Sequence, residues 1–523
     1  MNKVLSSLIA LLAVTGIHAQ HTGEVPKLVV SIVVDQLRGD YLEYFSSTFG
    51  EKGFNRLKNE GLVYHQIDYG FQNMNEASAV ASLYTGTYPY YHGIIGDKYY
   101  DPQSRQEVPI VYDPAYLGNY TNDKFSPRAL LSTTLGDEIK RATNGQSRVY
   151  SIAPNATTAL VSAGRYANAA FWLDNHNGRW ATSTYYKDFP SFVDRFNATK
   201  AIGDSSDKTW IQSLSYFPGF PYSETRSYFK YTFSKGDLDR ISKIKQTALI
   251  NEQVTELALR FVENVGFERQ NEPDLLALTY YAGNFSYADY TDEYNYEIQD
   301  TYHQLDKQLE KLLTAIEKKV GLKNVLIVLT STGYFDAWSS AEEPFSPFGE
   351  FFPARCTALL NMYLMATYGQ GDWVSHYYNN QIYLNKKLVE DSNLNWLKFL
   401  ADAAGFVAQF SGVQEVTTLG QWLFDDTGRS SGFRRGMNKK TSGHLFVELQ
   451  PGWVLATEGI KTSKQFERNT AVLTRAIFFG GNIKKQDVYR PIKATEITPS
   501  ISHVLRIRPP NASRDLPLQE FLK

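Results

Sequence analysis

The sequence predicts an α/β fold in which a mostly parallel sheet carries helices on both faces and an inserted α+β subdomain. Three continuous apolar runs, at residues 27–34, 274–281 and 324–330, predict strands that are buried on both faces. Two long amphipathic helices, predicted at 247–265 and 296–320, separate these runs along the chain. Helices that alternate with strands are typical of a parallel sheet.

Shorter elements are indicated by the same periodicities and by turn residues. They are helices at 54–60, 77–83, 396–410 and 495–505, strands at 148–152 and 476–479, and a hairpin at 445–455 that turns at Pro451-Gly452. The stretch between Cys356 and Thr441 differs in composition from its surroundings. We therefore divide the chain into a signal peptide at 1–19, a first part of the core at 20–355, an inserted α+β subdomain at 356–441 and a C-terminal part of the core at 442–523.

The N-terminus predicts export. Lys3 supplies a positive charge, residues 4–16 form an apolar run, and Ala19 offers a small residue before a cut at Gln20. The run is shorter than the roughly 20 apolar residues that span a bilayer, and no later segment predicts a transmembrane helix. We expect a protein of the periplasm, or one associated with the outer membrane, that is soluble after signal cleavage.

Composition narrows the classes of function. The chain has 523 residues, and 53 Lys and Arg against 55 Asp and Glu leave a formal charge of −2. This balance removes the broad electrostatic basis for binding nucleic acid. Because Cys356 is the single cysteine, the chain can form neither an intrachain disulfide nor a cysteine-based zinc cluster.

Ligands of a parallel α/β sheet bind at the carboxyl ends of its strands. Asp35 ends the first predicted strand, and residues 280–284 and 330–334 follow the other two. A carboxylate in the position of Asp35 suits a metal ligand, but it equally suits a cap for the segment that follows. The residue alone leaves both interpretations open.

Several short motifs occur in order between about residues 27 and 507. They are Val-Val-Asp-Gln-Leu-Arg at 33–38, Tyr84-Thr85-Gly86, His92-Gly93-Ile94, Phe-Trp-Leu-Asp at 171–174, Thr-Ser-Thr-Tyr-Tyr at 182–186, Asp300-Thr301-Tyr302, Leu305-Asp306 and Thr-Glu-Ile-Thr-Pro at 495–499. Together they resemble the alkaline phosphatase superfamily, in particular the exported bacterial alkaline phosphatases related to the nucleotide pyrophosphatases and phosphodiesterases. The resemblance implies an alkaline-phosphatase-like core over nearly the whole mature chain.

The resemblance also implies a site against which this sequence can be compared. Active members hold two zinc ions with three Asp and three His side chains, and a Thr or Ser acts as the nucleophile. Asp35 matches the first of these ligands, whereas Glu76 stands at the position of the nucleophile. Four further ligand positions hold residues of other types, namely Tyr280, Asn284, Thr332 and Gly333.

Five of the six ligands are therefore absent, since residues 461–465 also lack the last histidine, and we expect no zinc cofactor. The groups that would contact phosphate are changed as well: Asp97 replaces an Asn, Ala153 a Lys and Asn155 an Arg. These replacements remove the donors and cations that stabilise transferred negative charge. A pocket that combined Asp35, Glu76 and Asp97 would repel phosphate.

We accordingly expect a catalytically degenerate member, a pseudophosphatase retained as a binding or assembly component of the cell envelope with a protein partner. Three alternatives stay open. One is an enzyme that acts on phosphoric or sulfuric esters through a relocated metal site and depends on Asp35. The second is a module that binds a glycan or peptide in an aromatic-lined cleft that includes Trp338. In the third, Asp35, Glu76 and Asp97 retain one Ca²⁺ or Mg²⁺ ion.

Overall fold

The three apolar runs form neighbouring strands of one ten-stranded sheet. The computed structural model describes residues 24–214, 228–269, 271–283, 285, 295–335, 349–424, 428–450, 453–457, 465–466 and 470–522. In chain order, the strands of the central sheet are β1 (Leu28–Asp35), β2 (Leu62–Tyr64), β3 (Gly118–Asn119), β4 (Val149–Ala153), β5 (Ala169–Leu173), β6 (Trp180–Ser183), β7 (Asp274–Tyr281), β8 (Val325–Ser331), β9 (Ala476–Phe479) and β10 (Gln486–Val488).

The order of strands across the sheet is β10-β2-β9-β8-β1-β7-β4-β5-β6-β3. The five strands from β8 to β5 are parallel to one another, whereas β9, β6 and β3 pair in antiparallel fashion. Val34 on β1 pairs with Tyr280 on β7, and it also pairs with Ser331 on β8. The carboxyl ends of these central strands therefore share one edge, and the predicted α/β class with a mostly parallel sheet is confirmed.

Helices connect and cover these strands. In the described residues, the α-helices are α1 (Gly39–Tyr44), α2 (Phe54–Glu60), α3 (Glu76–Thr85), α4 (Pro89–His92), α5 (Leu135–Ala142), α6 (Ala156–Ala163), α7 (Ser191–Lys200), α8 (Arg240–Ile244), α9 (Ala248–Asn264), α10 (Asn295–Lys319), α11 (Pro353–Tyr368), α12 (Lys386–Asp391), α13 (Trp396–Val407), α14 (Leu419–Phe424), α15 (Gly428–Arg435) and α16 (Ile497–Val504). The long helices α9 and α10 pack against each other, and α9 also lies on β7. Within the described part of the chain, none of the helices has both the length and the apolar character that crossing a bilayer requires.

Short strands and 3₁₀ turns complete the described structure. The strands are Ile67–Asp68, Lys98–Asp101, Gln106–Pro109, Lys208–Ile211, Lys230–Phe233, Tyr334–Phe335, Gly349–Phe351, Val374–Tyr378, Gln381–Leu384, Val413–Thr418, Leu445–Leu449, Trp453–Leu455, Gln465–Phe466, Thr470–Ala471 and Ile492–Lys493, and the 3₁₀ turns are Ser46–Thr48, Pro127–Ala129, Phe267–Arg269, Leu322–Asn324, Ala494–Glu496 and Gln519–Phe521.

A second hydrophobic core lies in the inserted part of the chain. Leu360 on α11 and Phe399 on α13 are fully buried there beside Trp373. An antiparallel sheet shares this core, with the strands Val374–Tyr378, Gln381–Leu384, Leu445–Leu449 and Val413–Thr418 in that order. Helices and antiparallel strands around one core form an α+β unit. The strand Leu445–Leu449, which we assigned to the C-terminal part of the core, pairs within this sheet, and the domain boundaries themselves stay a prediction.

The hairpin predicted at 445–455 is wrong. Leu445–Leu449 pairs with Val413–Thr418, whereas Trp453–Leu455 pairs with Gly349–Phe351 in a different sheet. The local pattern predicted two strands correctly, but the partner of a strand is decided by tertiary packing rather than by its own residues.

Helix ends also differ from the predicted ones. The helix predicted at 396–410 ends at Val407, after which the Phe410 N–H donates to the Val407 carbonyl at 3.1 Å in a turn. The last helix begins two residues later than predicted, because a 3₁₀ turn at Ala494–Glu496 precedes it. The predicted bounds of α2 and β7 agree with the structure.

An ion pair between a half-buried arginine and a fully buried aspartate joins β4 to β7. Asp274 is fully buried and accepts hydrogen bonds from the backbone N–H and from Nη2 of Arg148, both at 2.6 Å. Burial raises the pKa of the Asp274 carboxyl, and the Arg148 guanidinium opposes that shift. The guanidinium also donates to the carbonyl oxygens of Val265 and Gly266, which follow α9. One arginine thus joins two strands to the end of a helix.

Candidate functional site

A cavity of about 340 Å³ opens at the carboxyl ends of β1, β4 and β7, and we call it the strand-end cavity. Five residues of the predicted degenerate pocket line it: Asp35, Glu76, Asp97, Asn155 and Tyr280. The other lining residues are Gln36, Asn75, Pro154, Asn175, Ser242, Lys245, Gln246, Tyr281 and Tyr334. The topology therefore brings together side chains that lie far apart in the sequence.

Glu76 is placed by the start of α3. Asn75 accepts a hydrogen bond from the Ser78 N–H through Oδ1 at 3.0 Å, and the Ser78 hydroxyl accepts one from the Asn75 N–H at 3.2 Å. This capping box begins the helix at Glu76. The Asn75 amide also donates to the Ile95 carbonyl at 2.8 Å, which anchors the loop that carries Asp97.

Both carboxylate oxygens of Glu76 accept hydrogen bonds from the start of α6. Asn155 donates through Nδ2 to Oε2 at 2.6 Å, and the Thr158 hydroxyl donates to Oε1 at 2.8 Å. Burial and, next, the charge of Asp97 raise the pKa of Glu76 to about 7, although both hydrogen bonds and Lys245 oppose the shift. Glu76 therefore exchanges a proton near neutral pH while its oxygens are held by two neutral donors.

Asp97 adds a second acidic group to the cavity. Asp97 is an exposed residue, yet the atoms around its carboxyl desolvate the charged form and raise its pKa. A hydrogen bond from Thr157 and the charge of Lys245 oppose this shift. Because Glu76 and Asp97 interact, the two carboxyls titrate as a coupled pair.

The Asp35 carboxylate is hydrogen-bonded to Thr332, which stands at another of the expected ligand positions. Thr332 is fully buried, and its hydroxyl donates to Asp35 Oδ1 at 2.9 Å. The same hydroxyl oxygen accepts a hydrogen bond from the Gln36 N–H at 2.9 Å. Thr332 thus ties the end of β1 to the end of β8.

Tyr280 and Ala153 are fully buried. The Tyr280 hydroxyl forms a hydrogen bond with the Thr255 hydroxyl on α9 at 3.1 Å, and burial raises the pKa of this phenol. Ala153 ends β4, and the lining of the cavity contains the next two residues, Pro154 and Asn155, instead of Ala153. Tyr280, at the position expected to hold an acidic metal ligand, therefore supplies no carboxylate. Ala153, at the position expected to hold a phosphate-binding lysine, supplies no cation.

The ring of Tyr69 occupies the space beside Gly333. A Cβ atom at Gly333 would lie 2.2 Å from Cδ2 of Tyr69, and the backbone φ of +79° disfavours any L side chain. The Tyr69 hydroxyl donates to the Ser331 carbonyl, which holds the ring in place. A histidine at position 333, as the resemblance implies for an active member, would collide with this ring.

The described residues do not fit a two-zinc site. Asp35 is the retained ligand-type residue, and the other described ligand positions hold hydrogen-bonded or sterically closed residues. Across the described ranges, no group of three or more His, Cys, Asp or Glu side chains is arranged to hold a metal ion. Asp35, Glu76 and Asp97 line the same cavity without forming such a group. The predicted signal peptide at 1–19, Asn284, Trp338 and residues 461–464 lie outside the described residues.

Sequence reasoning missed Lys245. This residue follows the short helix α8, is 8% exposed, and lines both the strand-end cavity and a neighbouring one. Burial lowers the pKa of its ammonium to about 8, although the charges of four carboxylates oppose the shift, those of Glu76, Asp174, Asp123 and Asp97. No local pattern distinguishes Lys245 from Lys243, which is only half-buried and pairs with Asp239 at 3.0 Å.

Gln36 and Asn75 were missed too, although each adjoins a predicted site residue. Gln36 follows Asp35 at the end of β1 and adopts a positive φ of 60°, which is uncommon for a residue other than glycine. Asn75 precedes Glu76 and is a favoured type of helix cap. Adjacency to a predicted site residue was the signal that could have identified both.

Comparison with known proteins identifies the family. Residues 29–471 match the family model described as Type I phosphodiesterase / nucleotide pyrophosphatase. A Myroides odoratus protein named "Calcium-transporting ATPase" is 28% identical over 541 residues, which cover 96% of this chain and 95% of the relative. Alkaline phosphatase PafA of Elizabethkingia meningoseptica is 27% identical over 563 residues, which cover 98% of each chain.

Structural comparison agrees with the sequence match. The crystal structure of wild-type alkaline phosphatase PafA superposes with a TM-score of 0.82 at 26% identity, over 95% of this chain and 99% of that one. The expected alkaline-phosphatase-like α/β fold is thereby confirmed. With well over half of its length matched, the chain belongs to the type I phosphodiesterase and nucleotide pyrophosphatase family of the alkaline phosphatase superfamily.

Proposed function

We propose that this chain is an exported member of the superfamily that binds a polar, non-anionic ligand in the strand-end cavity and does not transfer phosphoryl groups by two-zinc chemistry. The observation that carries the proposal is the state of Glu76. A carboxylate stands where the family resemblance implies a hydroxyl nucleophile, and Asn155 and Thr158 hold both of its oxygens. A carboxylate bound in this way is a poor substitute for an activated hydroxyl.

The charges of the cavity support the same conclusion. Asp35, Glu76 and Asp97 line it, and Lys245 is the one cationic side chain among its lining residues. Stabilising a transferred phosphoryl group requires donors and cations directed at the developing negative charge. An excess of carboxylates instead disfavours a phosphate dianion and favours a neutral or cationic partner.

A second candidate is hydrolysis of phosphoric esters through an atypical metal site. It is favoured by the comparisons, because relatives that match over nearly their whole length are named alkaline phosphatases. Asp35 would have to contribute to such a site, since it is the retained ligand-type residue.

Zinc content and turnover distinguish the two candidates. The mature protein, incubated with excess Zn²⁺ and desalted, should retain close to no zinc by elemental analysis. It should also release no more p-nitrophenol than the buffer from p-nitrophenyl phosphate and from its bis ester. Elizabethkingia PafA, which is named an alkaline phosphatase, serves as the positive control for turnover.

A stoichiometry of about two zinc ions per chain, with turnover that disappears in Asp35→Ala, would refute the proposal and establish the second candidate. The variant Glu76→Thr restores a hydroxyl at the nucleophile position but none of the missing ligands. We expect it to remain at the buffer rate, because a nucleophile without metal ions and phosphate-binding cations is not activated.

The export part of the proposal rests on the N-terminal pattern of Lys3, the apolar run at 4–16 and Ala19. Sequencing of the protein recovered from a periplasmic extract should give an N-terminus at Gln20. Recovery of the chain with Met1 intact from the cytosolic fraction would contradict export. A protein partner in the cell envelope stays a prediction.

A further inference from the structure

A second cavity of about 610 Å³ adjoins the strand-end cavity. Because it lies at the turn that joins β5 to β6, residues 174–179, we call it the hairpin cavity. The two cavities share three lining residues, Asn155, Asn175 and Lys245. Each volume falls within the range of about 300–1,000 Å³ that is usual for small-molecule sites. The molecule therefore has two adjoining chambers with a common wall.

The hairpin cavity is a built structure, since hydrogen bonds hold its walls. Asp174 is 6% exposed, and its Oδ1 accepts from the N–H groups of His176 at 3.0 Å and Asn177 at 2.8 Å. The Asn177 amide donates to the Tyr120 carbonyl at 2.7 Å, which joins the turn to the loop that carries Asp123. Polar groups of fixed orientation are the means by which such pockets select ligands.

Lys245 lies at the junction with unused hydrogen-bonding capacity. The residue as a whole is 8% exposed, and within the described residues no group pairs with its ammonium within 4 Å or forms a hydrogen bond with it. An ammonium has three donors, and burying them without acceptors is unfavourable. An acceptor oxygen on a ligand that crosses the junction would satisfy it.

The charges of the two chambers indicate the class of ligand. Asp123 and Asp174 in the hairpin cavity add to the three carboxylates of the strand-end cavity. The other cation, Arg179, pairs with Asp204 at 2.7 Å, and Asp204 does not line either cavity. An anionic ligand is therefore disfavoured, whereas hydroxyl groups can donate to the carboxylates and accept from the ammonium. Amide side chains, Asn155 and Asn175 among them, offer both donors and acceptors.

We propose that the two chambers form one extended site for a neutral or cationic polyhydroxylated oligomer such as an oligosaccharide, with the Lys245 ammonium hydrogen-bonded to the unit at the junction. The proposal rests on the proposed function, because it names the ligand class of the same cavity. It adds that the hairpin cavity binds a second unit of the ligand.

Calorimetric titration of the mature protein tests this proposal. The probes are maltohexaose and N-acetylchitohexaose as neutral oligomers, the glucosamine hexamer as a cationic one, their monosaccharides, and inorganic phosphate. We expect at least one hexamer to bind saturably and at least 10-fold more tightly than its monosaccharide, and phosphate not to bind. Asp123→Asn in the hairpin cavity and Lys245→Met at the junction should each weaken that hexamer at least 5-fold.

Two substitutions outside the cavities serve as matched controls. Lys243→Met changes a lysine on α8, two residues before Lys245, and Asp237→Asn changes an exposed aspartate. Both should leave hexamer affinity unchanged, and thermal unfolding should show that every variant used in the test folds. Failure of every hexamer to bind would overturn the proposal.

Equal affinity for a hexamer and for its monosaccharide would also overturn the proposal. So would a hexamer affinity that falls in Asp97→Asn but stays unchanged in Asp123→Asn. These outcomes leave the proposed function standing, because that function is tested by zinc content and turnover. Two bound zinc ions with ester turnover would refute the proposed function itself.

Discussion

At pH 8 the Glu76→Gln variant should have a free energy of unfolding about 2 kcal/mol higher than the wild type. Burial and the charge of Asp97 raise the pKa of the Glu76 carboxyl from its ordinary value of 4.5 to about 7 in the folded protein. The charged form is therefore unfavourable in the folded state. A neutral amide removes that penalty and can still accept from Thr158, while the Asn155 amide can rotate to present its oxygen.

The sign of the pH dependence follows from the raised pKa. Below pH 4.5 the carboxyl is protonated in both the folded and the unfolded state, so it does not affect stability. Between about pH 4.5 and 7 the unfolded chain releases its proton while the folded protein retains it, and stability falls as pH rises. The gain of Glu76→Gln should thus be small at pH 5 and nearly complete at pH 8.

Urea unfolding at pH 5, 6, 7 and 8 measures this difference. Glu51→Gln, a change at an exposed glutamate, is the control and should track the wild type at every pH. A Glu76→Gln variant that is less stable than the wild type at pH 8 would show that the structure favours the carboxylate. In that case Glu76 would carry its full negative charge at neutral pH, and the cavity would repel phosphate more strongly.

We expect Asp274→Ala to lower the free energy of unfolding by about 3–5 kcal/mol, the range for removing one partner of a buried ion pair. The substitution leaves the half-buried Arg148 guanidinium without its carboxylate and the Arg148 N–H without its acceptor. It also loosens the junction between β4 and β7, which both end at the strand-end cavity. Chemical unfolding at pH 7 measures the loss.

Glu263→Ala provides the matched control for this pair. Glu263 pairs with Arg260 at 2.9 Å on the exposed side of α9, and such surface pairs contribute about 0–1 kcal/mol. A loss of less than 1 kcal/mol in Asp274→Ala would contradict the view that this pair fastens the two strands.

An unfavourable carboxylate and an unsatisfied ammonium in one cavity are typical of a binding site rather than of a structural core. Glu76 and Lys245 are both displaced from their ordinary pKa values by burial, in opposite directions. Groups perturbed in this way concentrate at functional sites.

Much of the candidate site was predictable because it depends on residue identity at strand ends. Asp35 and Tyr280 were placed there by continuous apolar runs, and the topology of parallel strands then required those ends to meet. Glu76 and Asn155 were identified through the resemblance of this chain to the superfamily, which implies a nucleophile and a phosphate-binding residue at those positions. All four line one cavity.

Tertiary structure alone decided the features that depend on contacts between distant segments. The ring of Tyr69 fills the space beside Gly333, and no sequence pattern near either residue predicts this contact. The sequence at 445–455 predicts a hairpin, yet Leu445–Leu449 pairs with Val413–Thr418 and Trp453–Leu455 pairs with Gly349–Phe351. Lys245 is an ordinary lysine in sequence and becomes a buried one only because α8 packs at the junction of two cavities.

Residue types and periodicities along the chain were enough to predict the fold class, and motifs shared with the superfamily were enough to show that five of its six ligand positions hold other residue types here. The tertiary structure decided which charges face one another and which remain unsatisfied. That outcome depends on burial and on pairing between distant residues, which raise or lower the free energy of a charge by amounts that no local pattern encodes.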